Sequence, residues 1–277
     1  MPDFDTTTID ALGKRLHEPG WLTELRRAAL RRHAELPWPH KSDDIWRRTD
    51  VSLLDPSGGF SPATPELLHA VPISEPQLAA LTTPLGDEQL IARVNGTWVT
   101  EPQPRDILVE ELSHAAASAP EPIRAVIESN GMTDAEMKLT SLNLAFHHDD
   151  LVVRVPAGYT GATPLRLVRL FSVAGKQAFF PFTLITVGAG SSVTLIDEQM
   201  SLQAGGECSP HLINGRVELF LEPDASVHYV RLQRWGSQAR EFLLQRANLA
   251  RGATLTMANI NLGAALSKAH FVTKLSG

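Results

Sequence analysis

Cys208-Ser-Pro-His211 is the segment whose residue types and spacing most readily do chemistry. A thiolate and an imidazole three residues apart can bind a soft metal, or the imidazole can activate the thiol. Two ligands do not close a site, so a stable centre at Cys208 and His211 requires further ligands from a partner chain. The plainer alternative is a loop thiol of no special reactivity. Cys208 is the single cysteine of the chain. That excludes an intramolecular disulfide and any self-contained four-thiolate zinc or iron–sulfur site, and it points to the reducing cytoplasm.

His147-His-Asp-Asp150 gathers four more potential ligands. Adjacent side chains in extended backbone point to opposite faces, so the two histidines suit one metal poorly, and the segment reads as a polar turn joining helix to strand. Arg26, Arg27, Arg31 and Arg32 form a basic stripe. It could meet phosphate or an acidic partner, but reads more simply as a solvated helix face. Gly188-Ala-Gly190 offers two glycines of a dinucleotide fingerprint, yet Val193 stands at the third position and a strand follows where a helix is needed. It is a β-turn. No G-x-S-x-G elbow, P-loop or H-E-x-x-H motif occurs, and no catalytic residue is assigned.

The elements that must position these residues divide the chain in two. Residues 1–150 carry 13 basic and 24 acidic side chains, against 12 and 7 in the remainder, and 14 of the 19 prolines lie in the first part. A net charge of −6 argues against a generic nucleic-acid binder, and no apolar run approaches the ~18 residues of a membrane span. The N-terminus has no basic and apolar leader pattern, which makes a cytoplasmic protein the expectation. With 277 residues, 43% of them hydrophobic, the chain can bury a core unaided.

In the first part, apolar spacing predicts a helix over Trp21–Leu36, stopped by Pro37 and Pro39, and others over Pro122–Ser129 and Asp134–Phe146. Residues 55–65 and 71–76 read as surface connections. Gln89–Val94, Asn95-Gly96 and Thr97–Val99 spell a hairpin. From Leu151 the pattern becomes strand-like, and a strand–small turn–strand unit recurs three times. Gly190, Asp224 and Gly252 occupy equivalent turn positions, which predicts stacked β-coils. The expected fold is mainly β, a right-handed β-helix or solenoid over residues 134–277, preceded by a small helical region with a β-hairpin over residues 1–133.

Specific strings extend this reading. Pro37-Trp-Pro-His-Lys-Ser-Asp-Asp-Ile-Trp46-Arg-Arg-Thr49-Asp50 resembles a signature near the N-terminus of SufD-type iron–sulfur cluster assembly proteins. Val94-Asn-Gly-Thr-Trp98, Ser141–Phe146, Val152–Gly158, Pro164–Leu167 and Thr186–Glu198 follow in that family's order. The resemblance implies a scaffold and not a free-standing enzyme. It implies a SufB-like paralogue and a SufC-like ABC ATPase as partners, no permanently bound cofactor, and a transient iron–sulfur cluster at an interface between chains. SufD-like chains usually continue past Gly277 with more β-coil and ATPase-docking helices, so the sequence resembles a member lacking the family's C-terminal part.

Phe271–Leu275 reads as a strand at an uncovered end of the stack, which predicts a homo- or hetero-oligomer joined there. Two other functions remain open at this point. One is a shortened, non-catalytic interaction module. The other is a β-helix enzyme acting on carbohydrate or transferring acyl groups, for which Glu198, Glu218 and Glu241 are the strand-borne carboxylates.

Overall fold

Gly190, Asp224 and Gly252 all adopt left-handed backbone, with φ of +65°, +59° and +73°, and Gly158 does the same one coil earlier at +73°. The first three along the chain hand their N–H across to the carbonyl that precedes the next left-handed residue: Gly158 to Ala189 (2.9 Å), Gly190 to Pro223 (3.0 Å), Asp224 to Arg251 (3.0 Å). The recurring turns therefore stack into one column. A left-handed residue reverses the chain tightly, and glycine does so without the Cβ penalty.

The computed structural model describes residues 3–64, 73–100, 102, 106–127, 132–173, 175–203 and 209–276. Its strands are β1 (Ser61–Pro62), β2 (Gln89–Val94), β3 (Thr97–Thr100), β4 (Leu108–Glu110), β5 (Asp150–Val155), β6 (Leu165–Val173) and β7 (Gln177–Phe179), then β8 (Phe182–Val187), β9 (Ser192–Gln203), β10 (His211–Leu221), β11 (Ser226–Arg234), β12 (Ala239–Ala250), β13 (Thr254–Asn261) and β14 (Leu266–Ser276). They form two sheets. One runs β3-β2-β6-β9-β11-β13, and the other contains β4, β5, β8, β10, β12 and β14 with β1 and β7 at a side branch. Pairing is parallel from coil to coil, except for the antiparallel β2–β3 and β4–β5 pairs. The fold is a β-solenoid of about four turns.

Strands from both sides of residue 133 share each sheet. The predicted hairpin forms, but it is not a separate element, because β2 lies parallel against β6. Residues 55–64 are not a surface connection either: β1 pairs with β7, and Phe60 and Ser61 are buried. Likewise the predicted connection over 71–76 gives way at Glu75 to a helix that Ser74 and Gln77 close with a capping box.

The helices are α1 (Thr6–Arg15), α2 (Gly20–Glu35), α3 (Glu75–Thr82), α4 (Leu112–Ser118), α5 (Pro120–Ile127) and α6 (Asp134–Phe146). Prediction and structure agree on α2 and α6 to within a residue. The end predicted for α5, at Ser129 and Asn130-Gly131, lies outside the described residues. α6 starts on a Thr133–Glu136 capping box. Among the described residues, no helix is long and apolar enough to cross a membrane.

Helices cover the outer face of one sheet. Ala29, Leu142, Ala145 and Phe146 pack with Phe180 and Leu212, while Leu22, Leu112 and Ile123 pack with Val152, Phe182 and Leu184. The Pro37–Asp50 string contributes to the same cover. Its Trp46 is fully buried and stacks on Phe242 of β12 at 5.8 Å. A pair of amides fastens this layer: Asn143 of α6 donates to the carbonyls of Pro181 (3.1 Å) and Asn214 (2.6 Å), and Asn214 donates back to the Leu139 carbonyl (2.7 Å). Pro181 separates β7 from β8, both of which pair with β10. Asn143 thereby satisfies a carbonyl at the break in the strand.

Two glycines separate conformational cost from steric cost. A Cβ at Gly190 meets nothing within 4 Å, so Gly190→Ala should lose only the left-handed preference, about 1–2 kcal/mol. At Gly188, whose φ is ordinary, a Cβ would sit 2.4 Å from the Ala157 backbone nitrogen. Gly188→Ala should therefore lower the urea midpoint further than Gly190→Ala; equal midpoints would remove the steric argument.

Candidate functional site

His211 opens β10 and is fully buried, with Phe179 edge-on to its ring at 6.3 Å. Its Nδ1 lies 2.9 Å from the Ser209 carbonyl, which can only accept, so Nδ1 carries the proton. Burial pushes the imidazole below its ordinary range, against the pull of that same carbonyl, and keeps it neutral. Nε2 therefore presents a lone pair, 2.9 Å from Ser201 Oγ. Ser201 Oγ in turn accepts from the Gly236 N–H at 2.8 Å. A neutral imidazole with one oriented lone pair is a competent metal ligand or proton acceptor. Cys208 lies outside the described residues.

Beside it, the solenoid interior is not uniformly apolar. Leu151, Val153, Leu165, Ile185, Val217 and Leu219 form the dry portion. Further along the strands come buried charges, which neighbouring coils neutralise. Arg169 of β6 donates to Asp197 of β9 (2.9 and 3.0 Å), and Tyr229 of β11 adds a third hydrogen bond at 2.9 Å. Burial alone would raise the Asp197 carboxyl, but Arg169, Arg231 and the Tyr229 hydroxyl together outweigh it and hold the group below its ordinary value. Burial, followed by the charge on Asp197, pushes the Tyr229 phenol well up. Glu241 accepts from Arg231, from Trp235 Nε1 (2.7 Å) and from Ser267 Oγ (2.7 Å).

All three strand carboxylates singled out above are thus engaged. Glu198 is bound by Arg166 (2.6 Å) and Arg234 (2.8 Å), and Glu218 by Arg216 (2.7 Å) and Arg246 (2.9 Å). Buried carboxylates fixed by arginines are not poised to protonate or attack a glycosidic bond. The carbohydrate-enzyme alternative loses its candidate acids.

Residues 170–277, which include the C-terminal end of β6 and every strand after it, match the family model described as the SufBD core domain of the SUF iron–sulfur cluster assembly system. Over that stretch the chain is similar to the SufB/SufD family. An iron–sulfur cluster assembly SufBD family protein of Synechocystis sp. is 24% identical to it over 265 residues, an alignment covering 91% of this chain and 56% of that relative. The chain spans little more than half the length of the curated relative it matches.

The His147–Asp150 segment joins α6 to β5, as the polar turn between helix and strand that was expected, and all four of its residues are buried. The reading of the basic stripe as a solvated helix face needs correction at one position. Arg26 is fully buried, paired with Glu18 (2.5 and 2.9 Å), donating to the Ala145 carbonyl (3.1 Å) and reaching His147 Nδ1 at 3.0 Å. Burial is possible because each charge finds a partner. The four side chains also diverge. Asp150 meets His147, Asp149 faces Arg93 Nε at 3.3 Å, and His148 turns its Nδ1 toward the Phe146 carbonyl at 3.3 Å. Among the described residues no three His, Cys, Asp or Glu side chains are gathered to hold a metal ion.

Arg26 can only donate, so it makes His147 Nδ1 an acceptor. Asp150 then keeps its contact with the same nitrogen only by carrying a proton. Electrostatics agree with this geometry: burial raises the Asp150 carboxyl to about 7 despite the opposing charge of Arg26, and burial together with Arg26 pulls His147 well down. The sequence signal for Arg26 lay in its phase, because Leu22, Arg26 and Ala29 share the buried side of α2.

A pH dependence follows. The unfolded chain releases the Asp150 proton near pH ~3.9, whereas the folded chain keeps it to about 7. Asp150 therefore contributes stability that is full below the lower value and lost as pH rises through the upper. His147 and His148 act in the opposite sense, but only below ~6.5, where the unfolded chain takes up protons that the folded chain refuses. Between pH 6.5 and 8 the urea midpoint should fall. In Asp150→Asn, whose amide still donates to His147, that fall should shrink; an unchanged slope would exonerate Asp150.

Proposed function

We propose that this chain acts as a scaffold in iron–sulfur cluster assembly, without turnover of its own, in a complex with a SufB-like paralogue and a SufC-like ABC ATPase. The observation that carries the reading is the SufBD core match over residues 170–277, the stretch folded into the successive coils from β6 to β14. Iron, sulfur and the cluster are cargo here, assembled transiently between chains.

Two features support the partner half. β13 and β14 carry exposed apolar side chains, with Ile260, Phe271 and Leu275 at 42%, 42% and 75% exposure. Phe271 and Leu275 stand in register with Gln245 and Leu249, residues that an adjoining coil covers in the stack. A further coil completes such a face, supplied by a paralogue or by more of the same chain. For the cargo half we assign Cys208 and His211. His211 offers a neutral nitrogen three residues from the thiol, and its lone pair is held by a hydroxyl that can move aside.

Co-expression with SufB-like and SufC-like chains should yield a complex on size exclusion. Adding iron, a cysteine-derived sulfur source and reductant should then produce cluster absorbance. Cys208→Ser and His211→Ala should slow that signal by about tenfold while the complex still forms. Recovery of separate chains would sink the partner assignment. Unchanged rates in both variants would remove Cys208 and His211 from the chemistry.

A further inference from the structure

Between α2 and α6 a cleft of about 250 Å³ descends to the outer face of β10. Its lining includes Leu25, Ala28, Leu144, Met132 and Met137, together with Arg216. Arg216 is 2% exposed. Its Nε donates to Glu218 (2.7 Å) and its guanidinium lies over the Phe182 ring at 5.4 Å, but Nη2 is buried with no hydrogen-bond partner.

Charge counting sharpens the anomaly. Glu218 is already held through both oxygens by Arg246 Nε, at 2.9 and 3.0 Å. Among the described residues Arg216 has no other carboxylate in contact, so two guanidinium groups converge on one anion under a layer of helices. Leaving a buried donor unmet costs ~1–3 kcal/mol, and more when it is charged. A second cation, Arg32, stands at the cleft with its Nη2 against Met137 Sδ. The cleft is therefore lined by apolar side chains, by the hydroxyl residues Thr140 and Ser141, and by two cations, Arg32 and Arg216.

We infer that this cleft is a binding site for a small amphiphilic carboxylate, with the head group at Arg216 and a short aliphatic tail between α2 and α6. A carboxylate matches the planar fork of a guanidinium and supplies the acceptor that Arg216 lacks. The volume falls below the ~300–1,000 Å³ of sites for drug-sized ligands, which limits the tail to a short chain. The inference is independent of the role in cluster assembly, because neither His211 nor the edges of β13 and β14 take part.

Octanoate, with octanol as the uncharged control, tests it on the full chain by calorimetry and thermal denaturation. Octanoate should bind and raise Tm as its concentration rises, and octanol should bind at least about tenfold more weakly, since the head-group interaction is charge-assisted. Arg216→Met keeps the stem and leaves Glu218 to Arg246, and it should lose octanoate affinity by about tenfold or more. Should that variant fold poorly, Ala28→Phe offers an independent check: it fills the cleft from an exposed helix position without touching the charges, and should abolish octanoate binding with Tm preserved. Absence of octanoate binding to the unaltered chain would overturn the proposal. Equal affinity for octanol, or full octanoate binding in Ala28→Phe, would overturn it as well.

Discussion

Parallel stacking is the constraint on which the rest of this structure depends. Each strand gives its hydrogen bonds to the coil on either side, so a register set at one turn is passed to all of them. The left-handed column through Gly158, Gly190, Asp224 and Gly252 sets that register. Stacking also buries both faces of many strands, one in the solenoid interior and the other beneath helices. A charge placed on such a strand is a buried charge. It survives only if the neighbouring coil brings its counterpart, as Arg169 does for Asp197 and Arg246 for Glu218. Losing one member of such a pair typically costs ~3–5 kcal/mol.

Much of this fold was legible in the sequence because its signals are local. Left-handed turns need glycine or a small polar residue, and those residues recur at spacings that mark successive coils. The Asn95-Gly96 turn and the periodicities of α2 and α6 are local in the same sense. What stayed hidden depends on partners far along the chain. Nothing near Ser61 announces pairing with Gln177, and nothing near Gln89 announces pairing with Leu165.

The buried ionic groups were the least legible, and for a physical reason. Composition assigns arginine, histidine and aspartate to solvent because an isolated charge cannot enter a core. Arg26 enters one because Glu18, the Ala145 carbonyl and His147 are already there. Burial of the His147–Asp150 segment follows from that assembly, since its charges meet α2, β2 and β6 at one junction. For the candidate site, the sequence indicated His211 as a residue of interest. Its tautomer is set locally by the Ser209 carbonyl, but its place beside Ser201 required the coils to be in register.

The amide pair Asn143–Asn214 has a mechanical consequence. It ties α6 to the carbonyl at the β7–β8 break and to the neighbouring strand β10 at once. Tension applied to the helical layer is consequently shared between adjacent coils and does not pull on one strand alone. Parallel ladders loaded in that way resist in shear, where many hydrogen bonds must yield together, whereas a single strand end can be unzipped one bond at a time. A protein clipped at this point transmits force from its helices into its solenoid as a rigid joint.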